Sequence, residues 1–89
     1  MVVWELHLAG CSSLKDKRRV LKSLKDRLHH EFNVAVAETD HQDSWQRAEL
    51  ACVAVAGERR QVERVLQSAD NLVAGHPLAR IIDSIQTFR

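Results

Sequence analysis

Apolar residues follow two different patterns along this chain of 89 residues. In four short segments they alternate with polar residues or form short runs, which is typical of strands with one or both faces covered. In two longer segments they recur at steps of three and four, which is typical of amphipathic helices. The sequence predicts strands over 2–8, 33–39, 48–56 and 78–88, and helices over 14–32 and 58–74.

The residues at the ends of the predicted helices support these limits. Ser13 is a good N-cap for the first helix, and Asp16 completes the S-x-x-D signature of a capping box. Gly75 is placed to end the second helix, and Pro77 prevents its continuation. Residues 40–47 are polar and predict the turn of a hairpin between the second and third strands.

The element order β-α-β-β-α-β predicts an α+β fold, the ferredoxin-like or split-βαβ sandwich. We expect one domain over residues 1–89, with a four-stranded antiparallel sheet in spatial order 4-1-3-2. Both helices are expected on one face of the sheet. The first and third strands are the most apolar and are therefore predicted to be central. We also expect these two strands to be parallel to each other.

Charge is distributed unevenly, although the formal net charge is only +1. Residues 13–32 contain seven Lys or Arg against three acids. At about 100° per residue, five basic positions share one arc of the first helix, roughly 80° wide. They are Lys15, Arg18, Lys22, Lys25 and His29, and the first four are predicted to be exposed. This arc is either a solvated surface whose long stems cover the core, or a ridge that contacts phosphates.

Lys17 projects into the middle of the apolar arc of the same helix. A charged group there costs several kcal/mol unless it is paired or reaches water. We expect its ammonium to pair with Glu38 or Asp43, or to reach solvent past Trp45. Such a pair would be structural.

No residue pattern predicts catalysis, a cofactor or a metal site. The turn over 38–47 holds Glu, Asp and His residues, but lacks the Cys/His spacing of metal sites. Cys11 and Cys52 lie in unlike contexts and are expected to be reduced thiols. No signal peptide and no apolar run of membrane-spanning length is present, so we expect a cytoplasmic protein.

Three blocks of residues carry a resemblance to a known family. They are Ser13-Leu14-Lys15-Asp16-Lys17-Arg18, Phe32-Asn33-Val34 and the segment 38–47. With these blocks the chain resembles the YlxP-like family of small uncharacterised bacterial proteins. The resemblance implies a ferredoxin-like fold and a set of motif residues, which are Ser13, Leu14, Lys17, Phe32, Asn33, Glu38, Asp43, Trp45 and Gln46. Genes of this family often neighbour genes for translation initiation and ribosome assembly.

Two functions remain open at the level of sequence. The first is a non-catalytic accessory factor that associates with RNA or a ribosomal particle through phosphate contacts of the first helix. Base stacking on the sheet, as in RRM domains, is not expected, because the third strand has no aromatic residue. The alternative is a homodimeric interaction module with no nucleic-acid role, which pairs through the sheet face away from the helices.

Overall fold

Four strands and two helices form the fold, which a computed structural model describes over residues 1–87. They follow as β1 (Val2–His7), α1 (Leu14–Glu31), β2 (Val34–Asp40), β3 (Arg47–Ala54), α2 (Arg59–Ala74) and β4 (Arg80–Gln86). The predicted order is confirmed. β4 begins two residues later than predicted, because a turn follows Pro77, and the predicted end at Phe88 lies outside the described residues.

The sheet has the strand order β2-β3-β1-β4, as predicted, and every neighbouring pair is antiparallel. The expectation that β1 and β3 are parallel is wrong. The α1 crossover brings β2 back parallel to β1, and the short hairpin turn then reverses the chain between β2 and β3. Because β3 lies between β1 and β2, it runs antiparallel to both.

The core lies between the sheet and both helices. Trp4 and Leu6 of β1 and Leu50 of β3 are completely buried in one cluster with Leu28 of α1 and Leu66 of α2. Helices that share one core must lie on the same side of the sheet, as predicted. The Trp4 indole N–H donates to the Asp70 carboxylate of α2, so the polar atom of this buried ring has an acceptor.

The start of α1 is capped nearly as the sequence predicts. The Ser13 side chain accepts a hydrogen bond from the Asp16 N–H at 3.1 Å. The Asp16 carboxylate returns to Ser12 rather than to Ser13, accepting from its N–H at 3.2 Å and its hydroxyl at 3.0 Å. These donors lower the pKa of Asp16, the Ser12 backbone N–H most of all.

Candidate functional site

The basic stripe of α1, which consists of Lys15, Arg18, Lys22, Lys25 and His29, runs along one side of the helix. Four of these side chains are exposed, and Lys25 is half-buried. The prediction that Lys25 is exposed is therefore wrong. Lys25 lies nearest to the apolar arc, where a long methylene stem can cover the rim of the core.

Little of the charge on the basic stripe is neutralised within the molecule. Lys22 pairs with Asp26 at 2.7 Å, but these side chains are 76% and 61% exposed. An exposed pair of this kind is worth well under about 1 kcal/mol and exchanges readily with other partners. Over residues 1–87, Lys15, Arg18 and Lys25 have no carboxylate within salt-bridge distance. The stripe therefore keeps most of its positive charge toward solvent.

Lys17 forms a nearly buried ion pair, as predicted. Its Nζ lies 2.9 Å from Glu38 Oε2, and its side chain is only 3% exposed. The ammonium also donates to the carbonyl oxygen of His41 at 2.6 Å. Glu38 Oε2 is buried and, among the described residues, accepts no hydrogen bond of regular geometry, so the ion pair compensates its charge. Lys17 thus joins the first turn of α1 to β2 and to the turn that follows it.

His41 links the two sides of the sheet at this turn. Its φ of 63° lies in the left-handed region, which few non-glycine residues adopt. Its carbonyl faces Lys17, whereas its Nε2 lies 2.7 Å from Glu5 Oε1 on β1. Arg47 contacts the same Glu5 oxygen. This cluster was not predicted from the sequence, because β1 and the hairpin turn meet only through the pairing register of β1 with β3.

The other motif residues have mainly structural positions. Leu14 opens α1 and is half-buried, and Asn33 is exposed between α1 and β2. Phe32 ends α1, donates its N–H to the Leu28 carbonyl at 2.9 Å and packs against the core.

Three motif residues lie at the hairpin turn. Asp43 is exposed, so Glu38 and not Asp43 is the partner of Lys17. Gln46 Nε2 approaches the Cys11 carbonyl at 3.5 Å. Trp45 is 51% exposed. The turn thus combines contacts that anchor it with an indole open to solvent.

The open face, which is the sheet face away from the helices, is organised in rows across the strands. The strand register aligns an apolar row of Ala37, Ala51, Val3 and Ile85. The next row toward one end is acidic and consists of Asp40, Glu49, Glu5 and Asp83. A basic row follows, formed by Arg47, His7 and Arg80. A shallow concavity of about 330 Å³ spans the apolar and acidic rows.

The two cysteines have the properties of structural residues. Cys11 and Cys52 are both buried and unpaired. Burial raises the pKa of each thiol, that of Cys52 to about 11. Since the thiolate is the nucleophile, neither group has reactive character near neutral pH.

Metal-holding groups and membrane-spanning helices are both absent over residues 1–87. No group of three or more His, Cys, Asp or Glu residues there has a geometry that could hold a metal ion. Neither helix in that range has the length and apolar character needed to cross a bilayer.

Comparison with known proteins identifies the family. A family model described as a protein of unknown function (DUF503) matches residues 1–86. The chain belongs to this family. The predicted YlxP-like character is confirmed by the uncharacterised protein YlxP of Bacillus subtilis (strain 168), which is 46% identical over 63 residues. That match covers 71% of this chain and 68% of the relative. Membership in DUF503 assigns no activity.

Proposed function

We propose that this protein is a non-catalytic cytoplasmic factor that binds RNA, or a ribonucleoprotein particle such as the ribosome, through the basic stripe of α1. The observation that carries the proposal is a row of cationic side chains, most of them exposed, with one weak internal ion pair among the residues that the structure describes. The charges of α2 are more balanced than those of α1. Arg59 pairs with Glu63 at 3.2 Å, and the other two arginines of α2 lie among acidic residues.

The dimensions of the stripe suit a phosphate backbone. At 1.5 Å per residue, Lys15 and His29 are about 21 Å apart along the helix axis. This length is enough to follow several successive phosphates of one strand. Contacts of this kind are electrostatic and carry little sequence information. The proposal therefore predicts binding that is strongly salt-dependent and weakly selective for sequence.

The test replaces Lys15, Arg18, Lys22 and Lys25 with Gln in one variant. We expect binding to single-stranded RNA to be lost at moderate salt, and the slope of log affinity against log salt to flatten by about two to three units, at roughly 0.7 per phosphate contact. The exposed substitutions should each change the free energy of unfolding by no more than about 0.5 kcal/mol, and the half-buried Lys25 by somewhat more.

A matched control removes the same charge elsewhere. The residues replaced with Gln in the control are Arg27, Arg60, Arg64 and Arg80, all exposed and outside the stripe. If both variants lose the same affinity, net charge rather than the stripe drives binding. If neither loses any, the stripe is only a solvated surface.

A homodimeric interaction module is the second candidate, and the open face supports it. The apolar row on this face includes Ile85, which is 61% exposed, and the neighbouring Val53 is 39% exposed. Apolar side chains grouped on an exposed face commonly meet a partner, and a two-fold dimer is the commonest arrangement. Salt distinguishes the candidates, because polyanion binding weakens steeply with salt whereas an apolar interface does not.

A further inference from the structure

Trp45 is an exposed aromatic residue in the turn between β2 and β3. Its exposed fraction is 51%, whereas Trp4 is completely buried and Phe32 packs against the core. Over residues 1–87, Trp45 is therefore the one Phe or Trp side chain that presents a large surface to solvent. No contact described above requires an indole at this position.

Contacts on both sides of Trp45 fix its position relative to α1. On one side, the His41 carbonyl accepts hydrogen bonds from Lys17 Nζ at 2.6 Å and from the Ser44 N–H at 3.0 Å. Ser44 directly precedes Trp45. On the other side, the Gln46 carbonyl accepts from the Leu8 N–H at 2.8 Å. The indole is thus carried by a turn whose backbone is anchored to the first turn of α1 and to the end of β1.

The same anchor places the turn that carries Trp45 near the amino-terminal end of α1, the end at which the basic stripe begins. At about 100° per residue, Arg18 lies about 100° and Lys15 about 160° around the helix from Lys17, so the shared feature is the level along the helix axis. Lys15 lies two residues before Lys17 and Arg18 one residue after it, which is within about 3 Å of Lys17 along the helix axis. Both side chains are exposed. We propose that Trp45 stacks on a base of single-stranded RNA whose phosphates follow the basic stripe. This inference rests on the phosphate binding proposed above and adds the class of nucleic acid that is preferred.

Stacking adds a preference for single-stranded nucleic acid that the stripe alone does not provide. Cationic side chains bind any polyanion, whereas an indole gains energy only from a base whose flat face is accessible, as in a single strand. Every base has such a face, so the preference is for single strands and not for a sequence.

The experiment compares two probes on the full chain, a twelve-nucleotide oligouridylate and inorganic polyphosphate with a similar number of phosphates. We expect Trp45→Leu to weaken oligouridylate binding by about 5-fold to 140-fold, the range expected for loss of one stacked base. Affinity for polyphosphate and the salt slope should stay unchanged. Trp45→Phe, which keeps an aromatic face, should retain most of the oligouridylate affinity.

Tryptophan fluorescence gives a second measurement that needs no loss of function. Because Trp4 is buried, quenching on addition of oligouridylate should come from Trp45 and be absent from the Trp45→Phe variant. Polyphosphate, which has no bases, should quench little. This measurement keeps the inference testable even if Trp45→Leu affects folding.

The outcomes separate this inference from the proposed function. If the four-Gln stripe variant binds polyphosphate as the wild type does, the proposed function fails. If the stripe binds polyphosphate but Trp45→Leu keeps full affinity for oligouridylate, or if quenching is absent, only the stacking role is overturned. A Trp45→Leu variant that changes oligomeric state instead would assign Trp45 to a protein interface and would also overturn it. If the wild type binds neither probe, both proposals are rejected.

Discussion

Lys17 occupies a position where the helical pattern alone predicts an apolar residue, and two contacts compensate its charge. One is the ion pair with Glu38 and the other is the hydrogen bond to the His41 carbonyl. Removal of one member of a buried pair leaves the other charge uncompensated, whereas replacement of both by apolar groups is often neutral. The pair therefore fixes the position of the hairpin turn more than it adds to stability.

Replacement of Lys17 tests this account of the pair. We expect Lys17→Met to lower the free energy of unfolding by about 3 kcal/mol, at the lower end of the range for a broken buried pair, because Glu38 keeps 22% exposure. The double variant Lys17→Met with Glu38→Leu should recover most of that loss. Urea denaturation followed by circular dichroism measures both values.

The exposed Lys22 provides the control for Lys17. Its pair with Asp26 lies in solvent, so Lys22→Met should cost less than about 0.5 kcal/mol. A double variant of Lys17 and Glu38 that is no more stable than Lys17→Met would contradict the account. In that case the buried carboxylate would not be the origin of the loss.

His76 makes stability depend on pH near neutrality. Its pKa lies below the usual 6.5, first because it is partly buried and second because the Arg27 charge opposes protonation. Its Nδ1 also accepts a hydrogen bond from the Leu78 N–H at 3.2 Å, which requires that nitrogen to be unprotonated. The unfolded chain therefore binds this proton more readily than the folded protein does.

The sign of the His76 effect follows from this difference. The contribution of neutral His76 to the free energy of unfolding should be complete above about pH 6.5. It should be lost as pH falls through the lowered pKa that His76 has in the folded state. Urea denaturation from about pH 5 to about pH 8 should show a smaller rise of stability with pH in His76→Gln than in the wild type. His29→Gln, at an exposed site, serves as the control. An NMR titration that gives His76 an ordinary or raised pKa would refute the prediction.

At the scale of elements, the sequence predicts the type and order of helices and strands because each signal is local. The steps of three and four in α1 and the Ser13 cap are fixed by residues close together in the chain. The return of Asp16 to Ser12 instead of Ser13 and the partial burial of Lys25 were not predicted. Both depend on side-chain geometry within one turn, which the pattern of residue types does not specify.

In the candidate site, features within one element could be predicted from the sequence, whereas most contacts between elements could not. The stripe on α1 could be recognised from angular positions alone, because all its members belong to one helix. The contact of His41 with Glu5 could not, because it joins a left-handed turn residue to a strand that is far away in sequence. The pairing of Lys17 with Glu38 lies between these cases. A charge in an apolar arc requires a partner, and Glu38 and Asp43 of the adjacent segment were the predicted candidates.

At the scale of the whole molecule, the rows of the open face restrict how two copies could pair. A two-fold axis along the acidic row would place Glu49 of one copy against Glu49 of the other, and Asp83 against Asp83. Like charges at short range repel. On the side of the apolar row away from the acidic row lies a second pair of apolar residues, Ala35 opposite Val53. An axis between these two rows places apolar residues against apolar residues and keeps the acidic rows apart. The acidic row would thus select one register of the dimer.

The dimer can be tested by charged substitutions on the apolar rows. We expect the wild type to show a concentration-dependent monomer–dimer equilibrium in sedimentation velocity, and Val53→Lys with Ile85→Lys to be monomeric. Both side chains are partly exposed, so the variant should remain folded. Leu78→Lys, at a 50% exposed apolar site in the turn before β4, should leave the equilibrium unchanged. Added salt should favour the wild-type dimer slightly, because it screens the acidic rows without weakening the apolar contact. A wild type that stays monomeric at high concentration would exclude the interface and leave the basic stripe as the functional surface.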